Sequence, residues 1–264
     1  MKIVAILATY NEERFVGNCI RNLLAQGASI YLIDNDSTDA TVAIAVEAAG
    51  NALIGMESFP RDGVYTWEPI LKRKEQIANS LNVDWFMHVD ADEIHLPPLG
   101  SRTLAHAFEE AEEAGHNAAN FLEFTFVPVA ESPDHDHTNY LDTMRWYYPF
   151  KSPEACLMRA WKRQHTGVEL AWSGGHQVRF PGLNIDRRLF RMKHYMFVSI
   201  DQLVSKYIQR RYDPSEIRKG WHGWRASLEG KKIVLPLASQ LRCTISDDDL
   251  DSSDPRMTHY LAEL

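Results

Sequence analysis

Trp85-Phe86-Met87-His88-Val89-Asp90-Ala91-Asp92-Glu93 runs from an apolar stretch straight into three acids. A short apolar run of this kind reads as a strand buried on both faces of a parallel sheet, and it ends at Asp90. Asp90 and Asp92 are two residues apart. On an extended segment their carboxylates point to the same side and can share one divalent cation. Hard carboxylate oxygens suit Mn²⁺ or Mg²⁺, and such an ion bridges phosphate oxygens and offsets charge on a diphosphate leaving group. An isolated Asp-x-Asp also reads as a solvated acidic turn, so its weight comes from what surrounds it.

Upstream, strand and helix alternate. Ile3 to Leu7 is a second continuous apolar run, and the pattern makes it a central strand. Asn11 is placed to cap a helix whose apolar positions Phe15, Cys19, Leu23 and Leu24 recur at helical spacing, with Gly27 as its stop. Ile30 to Ile33 repeats the strand, followed by a polar loop from Asp34 to Asp39 and an Ala-rich helix up to Gly50. Ala52 to Met56 reads as a strand and Pro69 to Leu81 as a helix with proline in its first turn. This repetition predicts an α/β fold on a parallel sheet. Ligands of such sheets bind outside the carboxyl ends of the strands, so loops 8–12, 34–39 and 90–95 are expected to converge on one crevice.

Downstream, Ser101 is placed to cap a helix ending near Gly115, and Ala119 to Val127 reads as a strand. Residues 129–155 have the composition of an irregular loop, and 156–198 suggests short strands in a mixed sheet. Ser199-Ile200-Asp201-Gln202 and Asp213-Pro214-Ser215-Glu216 are capping-box patterns, the second followed by Ile217, Trp221, Trp224 and Leu228 at helical spacing. The acidic tail, 247–254, reads as solvated or disordered. The expected organisation is an α/β domain over 1–198, divided near residue 95 into two halves, with C-terminal helices and tail over 199–264.

With 264 residues, 45% of them hydrophobic, the chain can bury one sizeable core. A net charge of −8 argues against a broad nucleic-acid surface. Three cysteines without metal-like spacing suit a reducing compartment. The apolar start is too short for a signal sequence and no uncharged run approaches about 18 residues, so a cytoplasmic protein is expected, with peripheral membrane contact left open.

The segments Ala8-Thr9-Tyr10-Asn11-Glu12, Ile33-Asp34-Asn35-Asp36-Ser37-Thr38-Asp39 and Trp85 through Glu93, in this order and spacing, resemble family 2 glycosyltransferases, in the subgroup that pairs Asp-Asn-Asp-Ser-Thr-Asp with Asp-x-Asp-Glu. The resemblance covers roughly residues 1–95. It implies a GT-A fold, a nucleoside-diphosphate sugar donor, Mn²⁺ or Mg²⁺ as cofactor, and a hydroxyl-bearing acceptor. It also implies donor contacts from Thr9, Tyr10 and Glu12, and base reading by Asp34. Asp36 stands where glycine is commoner, so Asp34 and Asp36 are both candidates. Lys74, in Lys72-Arg73-Lys74, matches a basic position of the family where a cation can meet phosphate; a solvated helix face is the alternative.

Ser173-Gly174-Gly175-His176 and His194-Tyr195 look like segments of the same subgroup, and many GT-A enzymes complete the metal shell with a C-terminal histidine, a role given to His194 beside Asp90 and Asp92. Family 2 members mostly invert the anomeric centre, which requires a base for the acceptor hydroxyl. Glu169 is favoured, with His176, Asp142 and Asp186 as the other candidates. His135-Asp136-His137 resembles a metal cluster but reads better as a polar loop. Trp146, Tyr147, Tyr148 and Trp172 could stack on acceptor sugars or fill the core. Two other functions fit the half-fold: a sugar-phosphate nucleotidyltransferase and a nucleotide-sugar-binding protein without activity. The absence of glycine from Ala8 to Glu12 argues against the first, because no backbone cradle for a triphosphate is present. The intact acids at 90 and 92 argue against the second.

Overall fold

The computed structural model describes residues 1–136, 139–151 and 156–263, with only the backbone of Trp224. In chain order the elements are β1 (Ile3–Thr9), α1 (Val16–Ala25), β2 (Ala28–Asp34), α2 (Thr41–Ala49), β3 (Leu53–Ser58), α3 (Trp67–Ser80), β4 (Trp85–Asp90), β5 (Glu93–Leu96), α4 (Leu104–Glu113), β6 (Ala118–Phe126), α5 (Tyr140–Thr143), β7 (Trp146–Phe150), β8 (Leu157–Lys162), β9 (Ile185–Tyr195), α6 (Ile200–Leu203), α7 (Pro214–Arg218) and β10 (Arg242–Cys243). This is the expected α/β class, a central sheet flanked by helices.

The chain divides into two compact units, the first comprising Met1–Arg61, Trp67–Phe121 and Glu154–Met192, the second Asp62–Thr66, Leu122–Pro153 and Lys193–Leu264. Both cut across the boundaries expected near 95 and 198.

In the first unit β4, β1, β2 and β3 form a parallel set with β1 at its centre, between β2 and β4. β8 joins β4 antiparallel, and the first residues of β6 pair antiparallel with β8. Successive side chains of a strand point to opposite faces, and both faces of β4 are covered. Phe86 joins Val4, Ile6, Leu71, Ile77 and Trp161 on the α3 side, whereas Trp85 stacks on Phe108 of α4 with ring centroids 4.6 Å apart and planes 2° from parallel. This two-sided cover is why the strands read as unbroken apolar runs. Thr103 caps α4, its side chain accepting from His106 N at 3.2 Å. Ser101, the expected cap, instead donates to Glu110 Oε2 at 2.7 Å.

In the second unit β6, β7 and β10 pair antiparallel, and Met196, Phe197, Leu203, Tyr207 and Leu228 form a core with Val127 and Tyr148. The stretch 129–155, expected to be irregular, contains α5 and β7. Ser199 and Asp213 cap α6 and α7 as their patterns predict. Among the described residues no long helix follows Asp213. α7 ends at Arg218, and Gly220, at φ 79°, turns the chain before a 3₁₀ turn at Gly223–Ser227. Glycine ends the helix before the periodicity from Ile217 to Leu228 can be used. The acidic tail is exposed but tied: Asp251 N donates to Tyr147 Oη at 2.8 Å and Lys193 Nζ pairs with Asp247 Oδ1 at 2.7 Å. Among the described residues no helix is long and apolar enough to cross a membrane.

Candidate functional site

Register alone brings the first two loops and the acid loop together. Thr9 is the β1 partner of Asp34 on β2, and Ala8 is the partner of Asp90 on β4. Thr9, Asp34 and Asp90 therefore end three adjacent parallel strands at one edge.

Hydrogen bonds knit the first two loops. Asn35 N donates to Thr9 O at 2.8 Å, Thr38 N to Asn11 Oδ1 at 2.8 Å, Asn11 N to Ser37 Oγ at 3.0 Å and Glu12 N to Thr41 Oγ1 at 2.7 Å. Asn11 is thus a loop clasp and not the helix cap expected of it. Its φ of 53° lies in the left-handed region, and α1 begins only at Val16. Glu12 is buried, and its carbonyl starts α1 by accepting from Phe15 N and Val16 N.

The structure separates Asp34 from Asp36. Asp34 Oδ2 accepts from Ser37 N at 3.1 Å, while its buried Oδ1 has no hydrogen-bond partner. Asp36 sits at φ 61°, and its carboxylate accepts from Arg61 N at 2.7 Å and Ser58 Oγ at 3.4 Å. Asp34 thus has one carboxylate oxygen unsatisfied within the protein, whereas Asp36 shapes the loop. Beside them, Arg61 lies over the Tyr10 ring at 3.7 Å, and Thr9 Oγ1 is buried without a partner.

In the acid loop the chain turns at Ala91-Asp92, so Asp90 and Asp92 do not share the extended segment that their spacing suggested. The Asp90 side chain is 32% exposed, whereas Asp92 is buried. Glu93, also buried, accepts from Asp90 N at 3.1 Å through Oε2 and pairs through Oε1 with Arg159 of β8. Arg159 Nη2 stands 3.5 Å from Asp90 Oδ2. Beneath, Cys19 Sγ donates to Asp90 O at 3.7 Å. Burial raises the Cys19 thiol's pKa well above normal, and the charges of Glu93, Asp92 and Asp90 raise it further. All three acids thus converge on one small region.

Lys74 is neither on a solvated helix face nor presented to a phosphate. It is fully buried, with Nζ donating to Val89 O at 3.0 Å and to His88 Nδ1 at 2.8 Å. Burial lowers its pKa to about 8, partly countered by Asp90. Lysine offers only donors, so His88 carries its proton on Nε2, which is buried without a hydrogen-bond partner. Burial, then the Lys74 charge, holds His88 well below the ordinary histidine range.

Gly175 closes over this pair: at φ +89° its Cα approaches so closely that a Cβ would lie 2.8 Å from His88 Nε2. The turn carrying it is tied to α3, with Trp67 Nε1 donating to Gly174 O at 2.9 Å and Glu75 Oε1 accepting from Ala171 N at 2.8 Å. His176, next in the chain, is exposed. Glu169 is an exposed member of a surface ion pair, accepting from Arg179 Nε at 2.7 Å. Asp186 is buried and bound by Arg188 at 2.7 Å, and Asp142 is exposed on α5. Trp172 is 46% exposed with Arg179 over its ring. Tyr147 and Tyr148 are core residues.

His194 belongs to the second unit, where its Nδ1 pairs with buried Glu123 Oε1 at 2.7 Å. Burial alone would raise the Glu123 pKa, but His194, with smaller contributions from His259 and Thr125, holds it at about 2. His135 is structural, with ring contacts to Thr143 Oγ1 and Ser132 O; His137 lies outside the described residues. Among the described residues no three His, Cys, Asp or Glu side chains are arranged to hold a metal ion together. The sequence reading missed Arg61 and Arg159. A lone arginine inside the apolar run of β8 was the available signal, because a buried charge needs a partner.

Residues 4–64 match the model of glycosyl transferase family 2. That segment carries β1, β2 and both knitted loops. No curated protein matches. Among solved structures, S. aureus TarS 1-349 in complex with UDP is 21% identical with a TM-score of 0.37, covering 47% of this chain and 36% of that one. A second structure of S. aureus TarS 1-349 is 13% identical with a TM-score of 0.42, covering 74% and 60%. Glucosyl-3-phosphoglycerate synthase from Mycobacterium tuberculosis, in complex with Mg²⁺ and UDP, is 14% identical with a TM-score of 0.30, covering 46% and 43%. The chain therefore spans less than two thirds of each of these structures.

Proposed function

We propose that this protein is a glycosyltransferase of the GT-A type that moves a sugar from a nucleoside-diphosphate donor to a hydroxyl acceptor with inversion. The observation that carries the reading is the β1 register, which aligns Thr9, Asp34 and Asp90 at the edge where ligands of parallel sheets bind. The family 2 match over 4–64 supports it. In this reading the Asp34 carboxylate accepts from a ring N–H of the base, and Tyr10, Thr9 and the Glu12 turn line the nucleoside end.

Mn²⁺ or Mg²⁺ fits the donor chemistry of the acid loop. Asp90 presents a partly exposed hard carboxylate, and Mg²⁺ is ordinarily held by one or two carboxylates plus substrate phosphates without an all-protein cage. Asp90 and Asp92 would hold the ion, which would offset the charge of the departing diphosphate. His194, the third ligand expected from the resemblance, is engaged by Glu123 in the second unit. The acceptor oxygen forms its bond to the anomeric carbon as the bond to the diphosphate breaks, and a protein base takes the acceptor's proton. We assign that proton to His176, next to a turn packed on β4, in preference to Glu169, whose carboxylate is held by Arg179.

The test is nucleotide binding by calorimetry across UDP, GDP, ADP and CDP, with Mn²⁺ or EDTA. One diphosphate should bind best, and only with Mn²⁺. Asp90→Asn and Asp92→Ala should each weaken that binding at least about tenfold, the loss of a charge-assisted contact. Undiminished Mn²⁺-dependent binding by both variants would remove the acid loop from the site.

A further inference from the structure

The acid loop contains three carboxylates, Asp90, Asp92 and Glu93, and β8 delivers a guanidinium onto two of them. The antiparallel register pairs Met87 with Ala160, so Arg159 falls one residue nearer the carboxyl end of β4, where the acids are. Its Nη2 pairs with Glu93 Oε1 and lies 3.5 Å from Asp90 Oδ2. The Arg159 side chain is only 9% exposed, so its charge is poorly screened by solvent. A guanidinium is permanently charged, and its planar fork suits phosphate as well as carboxylate oxygens.

We propose that Arg159 makes cation binding at Asp90 depend on the nucleotide diphosphate, so that the divalent ion and the diphosphate enter as a pair. This rests on the proposed function above. An ion arriving alone is attracted by the acids but repelled by a fixed positive charge already beside Asp90, and it must draw Asp90 away from that charge. In a partly buried site such repulsion is several times stronger than in water. A diphosphate changes the balance, because its oxygens attract the ion and the guanidinium together. The coupling is reciprocal: the factor by which UDP tightens Mn²⁺ equals the factor by which Mn²⁺ tightens UDP. Arg159 acts here as a positioning residue, through Asp90 and the local charge.

The experiment titrates the purified protein with MnCl₂, reading free Mn²⁺ by electron paramagnetic resonance, with and without UDP. Wild type, Arg159→Lys and Arg159→Met are compared. In wild type Mn²⁺ should bind weakly alone and far more tightly with UDP. In Arg159→Met, Mn²⁺ alone should bind roughly tenfold more tightly, and the enhancement by UDP should shrink by a similar factor. Arg159→Lys should retain the wild-type coupling. A site merely damaged by the substitution would bind the ion more weakly, so the direction of change is diagnostic. Should Arg159→Met fail to fold because Glu93 is left buried without its partner, Arg159→Met combined with Glu93→Gln takes its place, with the same expectation for coupling. Unchanged Mn²⁺ affinity and unchanged enhancement in the folded variant overturn the inference while leaving the function standing. Wild-type UDP binding indifferent to Mn²⁺ overturns both.

Discussion

Asp34 and Asp36 show how two neighbouring acids acquire different work from backbone geometry alone. Asp36 holds a left-handed conformation at φ 61° and receives Arg61 N at 2.7 Å. Asparagine and aspartate tolerate that region better than other non-glycine residues, which explains an acid where glycine is commoner. Asp36→Ala should cost about 2 kcal/mol, combining left-handed strain with a lost hydrogen bond. Asp36→Gly should cost about half of that, because only the bond is lost. Urea denaturation should rank wild type, glycine and alanine in that order; an alanine variant as stable as wild type would refute the loop-shaping role. Asp34→Asn should behave oppositely. Its Oδ1 serves no partner within the protein, so stability should change by under about 1 kcal/mol. Binding of the preferred nucleoside diphosphate should fall roughly tenfold, as expected when a charged acceptor is lost. The sequence could nominate both acids but not divide these roles, since φ at residue 36 is set by contacts with Ser58 and Arg61, more than twenty positions away.

At the scale of elements, periodicity revealed whatever packs against a core. The strands ending at Thr9, Asp34 and Asp90 read as apolar runs because helices cover both faces, and α1, α2 and α3 follow at the expected places. What escaped was short or held by tertiary contacts. β5 is four residues long and follows the acids after a turn; its sequence, Glu93-Ile94-His95-Leu96, suggests no buried ionisable groups. Yet His95 is fully buried and edge-on to Phe121 at 5.3 Å. Burial, with a smaller effect from Arg159, lowers its pKa from 6.5 to about 3. Between those values the unfolded chain takes up a proton that the folded chain refuses, so stability is complete above about 6.5 and declines as pH falls toward 3. Glu123, held at about 2, acts in the same direction but only below its ordinary 4.5. In the window from 6.5 to 4.5 Glu123 is therefore silent, and His95 acts together with His88, which burial also holds well below the ordinary histidine range. His95→Asn should lessen the fall in melting temperature across that window, leaving the part due to His88, and an unaltered slope would show that His95 does not contribute.

The whole chain is acidic, at −8, yet the proposed ligand is an anion, so binding must come from local groups and an added cation. The residues read from the resemblance fall unequally on the two units: Thr9, Asp34, Asp90 and Asp92 in the first, His194 in the second. Sequence order could not show this partition, because each unit is assembled from three separate segments. Stability measurements on the intact chain test the proposed binding without knowledge of sugar or acceptor. A ligand that binds only the folded state stabilises it by about 2.7 kcal/mol at a hundredfold excess over Kd. For a chain of this size that raises the melting temperature by roughly 5–10 °C. UDP with Mn²⁺, if UDP is the preferred nucleotide, should produce that rise. EDTA should abolish it, Asp90→Asn should lack it, and Glu169→Gln should retain it, since Glu169 is tied to Arg179 at the surface. A rise that survives EDTA would mean the diphosphate is held without a divalent ion, and would assign its charge to protein cations alone.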